Sequence, residues 1–190
     1  MPLLGPTDAL PGRPRRVLVG GVSGCGKSTL AARIAETIGA PHVEIDALFH
    51  GPGWTARPDF VTDVERFVAG AAWTTEWQYS AVRPLLLHSC DLLVWLDLPT
   101  DVVMRQVVAR TIRRRVRREV LWNDNVEPPL RSILTDREHI VRWAWSSRRR
   151  PRQRTYAALA ERPNLPVVRL RSHAESARWL DEVLTPVAGS

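Results

Sequence analysis

Lysine is nearly missing from this chain: one residue, Lys27, stands against 26 arginines. So lopsided a ratio fits a coding bias that turns exchangeable surface lysines into arginine, and it marks Lys27 as a position where the ammonium itself is needed. An ammonium is a compact charge on a flexible stem and a guanidinium a broad planar fork, so the two do not interchange inside a tight loop. Cysteine is almost as scarce. Cys25 and Cys90 lie far apart and lack metal-ligand spacing, which excludes a disulfide framework and a zinc site. Cys90 reads as a small buried hydrophobe. Long apolar runs are absent as well; nothing approaches the roughly 18–20 residues that cross a bilayer. The opening MPLLGPTDALPGRPRR has no basic segment leading into an apolar one. A cytoplasmic protein without a membrane partner is the expectation. What remains, 44% hydrophobic and 25% charged over 190 residues, is the composition of one globular domain with a sizeable core.

Lys27 sits in GVSGCGKST, residues 21–29. Gly21, Gly26, Lys27 and Ser28 match the Walker A spacing G-x-x-x-x-G-K-[ST]. The flanks agree with it. Arg16 to Gly20 reads as a short buried strand, and after the loop Leu30, Ile34 and Ile38 recur every four residues before Gly39, as in a helix. Strand, loop and helix in that order let the loop turn its N–H groups around a phosphate chain at the positive end of a helix. The nucleotide-binding residues are therefore Gly21, Val22, Ser23, Gly24, Cys25, Gly26, Lys27, Ser28 and Thr29. Lys27 is expected on the β and γ phosphates of ATP, with the Ser28 hydroxyl on Mg²⁺. Cys25 reads either as a small residue that fits the loop or as a thiol activated by nearby N–H groups.

Further along, residues 1–14 are rich in proline and glycine and read as a flexible tail, leaving one domain over 15–190. His42 to Asp46 reads as strand two. Pro58 opens a helix carrying Phe60, Val64, Phe67 and Val68; Ala71 to Glu76 follows as strand three, and Ala81 to Ser89 as a short helix. Leu92 to Asp97 is the clearest later strand. Thr100 caps a long helix bearing Val103, Val107 and Ile112; Leu130 to Trp145 has a second helical pattern, Val167 to Leu170 is the last strand, and Ser172 with Glu175 makes a capping box. Alternating strands and helices argue for an α/β fold with a parallel sheet covered on both faces. Ligands of such sheets bind beyond the carboxyl ends of the strands, which gathers the loop, Asp46, Glu76 and Asp97 at one edge.

Charge is regional. Residues 105–154 hold 15 arginines against five acids, while the rest of the chain has a slight acidic excess. Three readings stand side by side: a solvated helix face, a lid whose arginines neutralise a transferring phosphoryl group, and a track for a nucleic-acid backbone with Trp122, Trp143 and Trp145 as stacking groups. For the acceptor of a phosphoryl group, Asp46 suits a hydroxyl, which benefits from a base; Arg57 and Arg83 suit a phosphate. The spacing of Asp46 and His50 is similar to that of sugar-acid kinases, where an aspartate prepares a hydroxyl for attack; by itself His50 reads as a surface or loop histidine.

The motif order resembles the P-loop small-molecule and nucleoside monophosphate kinase superfamily, in particular the bacterial adenylate-kinase-related proteins of the DNA topology modulation type. The resemblance rests on GVSGCGKST, EIDALFHGPGW (44–54), WTTEWQY (73–79), DLLVWLDLP (91–99) with Arg105 and Arg110 following, LWNDNVE (121–127), and Trp145 with Arg148 to Arg150. It implies a three-layer P-loop NTPase fold, a five-stranded parallel sheet, and a helical lid inserted at about 113–150. The activity implied is ATP- and Mg²⁺-dependent transfer to a small-molecule or nucleotide acceptor; a nucleic-acid-binding ATPase is the alternative. The resemblance also implies Asp46 near the acceptor or Mg²⁺, Glu76 beside Mg²⁺ with Ser28, and Lys27, Asp46, Arg110 and Arg148 as catalytic groups. Asp97 looks like a Walker B aspartate by pattern, but the resemblance places it where the acid is often structural. Trp77 and Gln78 stand where the family pattern has Gly and Asn.

Overall fold

A computed structural model describes residues 3–117 and 150–189. Five parallel strands form one sheet: β1 (Leu3–Leu4), β2 (Arg16–Gly21), β3 (Trp73–Glu76), β4 (Leu92–Leu96) and β5 (Val167–Leu170), in the order β1-β5-β4-β2-β3. β2 and β4 lie side by side in the interior, and LLVWL in β4 is buried along its whole length. A strand covered on both faces has no reason to alternate apolar with polar residues, and this one does not.

Successive side chains of β2 leave on opposite faces and define two cores. Val17 and Val19 pack with Leu30, Ile34, Val107 and Trp179, beneath α1 (Lys27–Ile38), α5 (Thr100–Arg117) and α7 (His173–Trp179). Leu18 packs with Ile45, Phe60, Val64, Leu86 and Ala158, beneath α2 (Ile45–Phe49), α3 (Phe60–Val68), α4 (Arg83–Ser89) and α6 (Arg150–Glu161). Helices, sheet and helices make the three layers of the P-loop fold. α7 starts as expected, with Ser172 Oγ accepting from the Glu175 N–H at 3.0 Å and the Glu175 carboxylate from the Arg171 N–H at 2.7 Å. It continues through a π-helical turn (Leu180–Leu184) into Thr185–Ala188.

Three expectations need correction. His42 to Asp46 is not a strand: only His42 bridges to Thr74, and helix α2 begins at Ile45. The ladder stops because the Ile45 N–H goes to the Glu76 carboxylate at 3.2 Å instead of to a neighbouring carbonyl. Leu3–Leu4, inside the stretch read as a flexible tail, supplies the fifth strand by pairing with Val167 and Val168, and Leu4 is buried. Ile112 is 46% exposed; the inward position one turn beyond Val107 is Thr111, since a five-residue step carries a side chain to the outer face of a helix. The Leu130 to Trp145 helix, LWNDNVE, the three tryptophans at 122, 143 and 145, and most of the lid interval lie outside the described residues.

Candidate functional site

The loop joins β2 to α1 at the carboxyl edge of the sheet. Its shape is set by glycine. Gly24 has φ +82, and a Cβ placed there would stand 2.1 Å from Val107 Cγ2 on α5; at Gly21, φ +152, it would stand 2.6 Å from Cys25 Sγ and 2.9 Å from the Leu96 carbonyl. Only a residue without a side chain fits either place. Within the loop the Cys25 N–H donates to the Val22 carbonyl at 3.3 Å, and Lys27 Nζ bends back to the same carbonyl at 3.2 Å. Lys27 is only 7% exposed, an unusual setting for an ammonium and one that a polyanion in the loop would compensate. Ser28 is half-buried and Thr29 faces outward. His173, first residue of α7, hydrogen-bonds Gln106 of α5 beside Gly26, so two elements flank the loop.

Cys25 is fully buried, and that burial pushes its thiol up despite the opposing charges of Lys27 and Arg110 and the Lys27 N–H. Of the two readings of this residue, the geometry matches the small side chain that fits. Cys90 is also buried, its thiol pushed up to about 12, first by burial. Native protein at pH 7 is therefore expected to take up almost no maleimide, whereas unfolded protein takes up two equivalents. Rapid labelling of one thiol in the native state would contradict this packing. Arg110 is half-buried on α5, and its charge opposes the upward shift of the Cys25 thiol. Arg148 lies outside the described residues.

Glu76 ends β3 and is 1% exposed. Burial alone pushes its carboxyl up, but hydrogen bonds from His42, Ser28 and the Ile45 N–H, with the His42 charge, outweigh it and hold the carboxyl below its ordinary 4.5. A carboxyl depressed on folding stabilises the folded state above its unfolded value, and the contribution is lost as pH falls through the folded one. The stability advantage over Glu76→Gln is thus expected to be full at pH 6–7 and to shrink below about pH 4.5 in urea titrations. An advantage independent of pH would refute it. Ser28 and Glu76 offer hard oxygen donors side by side, which fits Mg²⁺ completed by phosphate oxygens and water. Among the described residues no group of three or more His, Cys, Asp or Glu side chains converges as a metal site.

Asp46, in α2, faces the segment after β3. Its Oδ1 accepts from Tyr79 Oη at 2.6 Å and from Gln78 Nε2 at 3.1 Å, and Tyr79 Oη lies 3.2 Å from His50 Nε2. Sequence reasoning missed Gln78, Tyr79 and His42 as members of the site. The departures from the family pattern acquire a meaning here: Gln78 binds Asp46, and Trp77 packs over Gly20 while its indole N–H donates to the Arg83 carbonyl at 3.2 Å. Arg57 is committed to the Leu48 carbonyl and Asp63. Arg83 is half-buried, and burial lowers its pKa. Asp97 is held by Arg169, whose guanidinium also lies over the Trp95 ring, and by Arg152 at 3.2 Å. Its role in the fold is to anchor the end of β4.

The fold is that of a P-loop protein. No family profile matches the chain. Over 120 residues it is 29% identical to the ATP-dependent protease ATPase subunit HslU of Methylorubrum extorquens (strain PA1) and 28% identical to that of Methylorubrum populi. The match takes in 60% of this chain but spans only about a quarter, 26%, of those relatives' length. Among solved structures, similarity extends to a gluconokinase from Sinorhizobium meliloti 1021 (20% identity, 96% and 94% of the two chains, TM-score 0.49) and a shikimate kinase from Bacteroides thetaiotaomicron (10% identity, 88% and 95%, TM-score 0.47). Likenesses this distant carry no argument about substrate. Among the described residues no helix is long and apolar enough to cross a membrane.

Proposed function

We propose that the protein is an ATP- and Mg²⁺-dependent phosphotransferase acting on the hydroxyl of a small molecule. One observation carries the choice of acceptor: Asp46 is held by Tyr79 and Gln78 and follows Ile45, whose N–H binds Glu76, itself bonded to Ser28 of the phosphate loop, while Arg57 is tied up elsewhere. An alcohol needs a base within hydrogen-bond reach, and a phosphate acceptor chiefly needs free guanidinium groups. In this reading the loop N–H groups and Lys27 hold the triphosphate in line with the acceptor, and Arg110 and Arg148 neutralise charge on the phosphoryl group. Asp46 takes the acceptor's proton. Bound through Ser28 and Glu76, Mg²⁺ would neutralise charge on the phosphate oxygens. The HslU likeness, to a protein named as an ATPase subunit, supports ATP as the nucleotide.

Asp46→Asn discriminates between the acceptors. Transfer to an alcohol is expected to fall by roughly 10²–10⁴ with ATP affinity unchanged, the usual worth of a general base. Transfer to a nucleoside monophosphate that survives this substitution would contradict the hydroxyl acceptor. The second reading, a nucleic-acid-coupled ATPase, is favoured by the 15 arginines of residues 105–154. It requires RNA or DNA binding that weakens steeply with salt. Within the described part of that interval, Arg105 pairs with Asp101 and Arg152 with Asp97, which leaves the kinase reading ahead.

A further inference from the structure

We propose that the Tyr79 hydroxyl is a plug: it occupies Oδ1 of Asp46 in place of the acceptor's hydroxyl, so that water is not activated at that oxygen until an acceptor displaces it. This inference rests on the phosphotransferase reading and deepens it, because it concerns how the same site separates its acceptor from water. A kinase that binds ATP before its acceptor faces 55 M water, a small and abundant competitor for any exposed base, and a hydroxyl pocket alone rejects it poorly.

The geometry supports a hydroxyl for hydroxyl exchange. A phenol has one proton, and a carboxylate has none to give, so the 2.6 Å contact is Tyr79 donating to Asp46 Oδ1. An acceptor alcohol approaching the base would make the same bond with its own proton. The Tyr79 oxygen then accepts from the His50 Nε2–H at 3.2 Å, and Gln78 fills a second lone pair of the same Asp46 oxygen. At rest, that oxygen is thus taken by protein donors. Burial, followed by the neighbouring Asp46 charge and its hydrogen bond, pushes the phenol well above its ordinary range, so Tyr79 stays protonated and is no nucleophile itself.

Packing explains why the plug is seated. Its ring stacks on Phe49, centroids 4.0 Å apart at 21°, and Phe60 meets it edge-on at 5.2 Å. Yet Tyr79 has φ +55, and Trp54, whose ring meets His50 edge-on at 5.1 Å, has φ +61. Left-handed backbone is unfavourable for side chains of this kind and clusters at active sites and ligand clamps. Both instances fall on the acceptor side of this site.

Removing the plug should turn the base on water. In the unplugged site a water attacks the γ-phosphorus in line, the bond from that phosphorus to the bridging oxygen breaks with its electron pair leaving on ADP, and the water's proton passes to Asp46. The test uses the full chain with Mg²⁺-ATP and no acceptor. Tyr79→Phe keeps the ring and its stacking on Phe49, and is expected to raise ATP hydrolysis at least fivefold with unchanged ATP affinity and an unchanged tryptophan band in the near-ultraviolet dichroism. Adding Asp46→Asn should return hydrolysis to the wild-type level, and adding Lys27→Ala should abolish it. Hydrolysis by Tyr79→Phe equal to or below wild type, with Lys27-dependent ATP binding intact, would overturn the plug alone. So would a loss of tertiary dichroism in Tyr79→Phe, which would make the hydroxyl structural. Absence of Lys27-dependent ATP binding in the wild type would overturn the phosphotransferase reading and the plug with it.

Discussion

Gly24→Ala is expected to abolish nucleotide binding and to destabilise the protein by about 2–4 kcal/mol, as left-handed strain and overpacking add. The new methyl would stand 2.1 Å from Val107 Cγ2. Neither side can yield easily. Val107 is fully buried on α5, and a β-branched side chain in a helix has essentially one χ1 available. The loop, for its part, is pinned from Gly21, where the Leu96 carbonyl and Cys25 Sγ leave no slack. The strain must therefore open the loop, moving the N–H groups off the phosphates. Urea unfolding and ATP titration of the single and double variants check this. Val107→Ala should recover part of the cost of Gly24→Ala, the part due to contact, and leave the part due to φ +82. Normal ATP affinity in Gly24→Ala would show that the loop is looser than its geometry.

Lys27→Ala removes the one side-chain ammonium in the sequence, and phosphoryl transfer should fall by at least 10²–10³, the scale seen when a single preorganised group at a developing charge is lost. Lys27→Arg should fare nearly as badly. Lys27 Nζ turns inward to the Val22 carbonyl at 3.2 Å, in a loop already closed by Cys25, Leu96 and Val107. A planar fork carrying five N–H groups has no comparable path there. Turnover and ATP affinity measured side by side check the point. Near-normal turnover by the arginine variant would make the solitary lysine an accident of composition.

Much of this site is legible in the sequence because the loop is contiguous. Gly21 to Ser28 carry their own spacing, and the strand before and helix after them announce themselves by burial period. The strand at His42 to Asp46 is misread for the opposite reason. Val43 and Ile45 look like strand residues, and what turns the chain into a helix is a carboxylate 31 positions away, Glu76, capturing the Ile45 N–H. Strand preference yields to such tertiary context. Leu3–Leu4 shows the same limit from the other side: two residues among prolines and glycines carry no period, and they pair only because β5 offers an open edge. Gln78 and Tyr79 reach Asp46 across 32 and 33 positions, with no local signal of the partnership. Glu76 meets Ser28 in the structure and Asp97 meets Arg169, two partnerships that no local pattern announces.

In the proposed reaction the loop and Asp46 form one phosphoryl-transfer site. Its most direct test follows label from the γ-phosphate of Mg²⁺-ATP into a pooled library of alcohols and nucleotides and, separately, into reactions containing RNA or DNA, with Lys27→Ala as the control. Label is expected in a small-molecule hydroxyl, in an amount that depends on both Lys27 and Asp46. Label released only as inorganic phosphate, and faster with RNA or DNA, would contradict it.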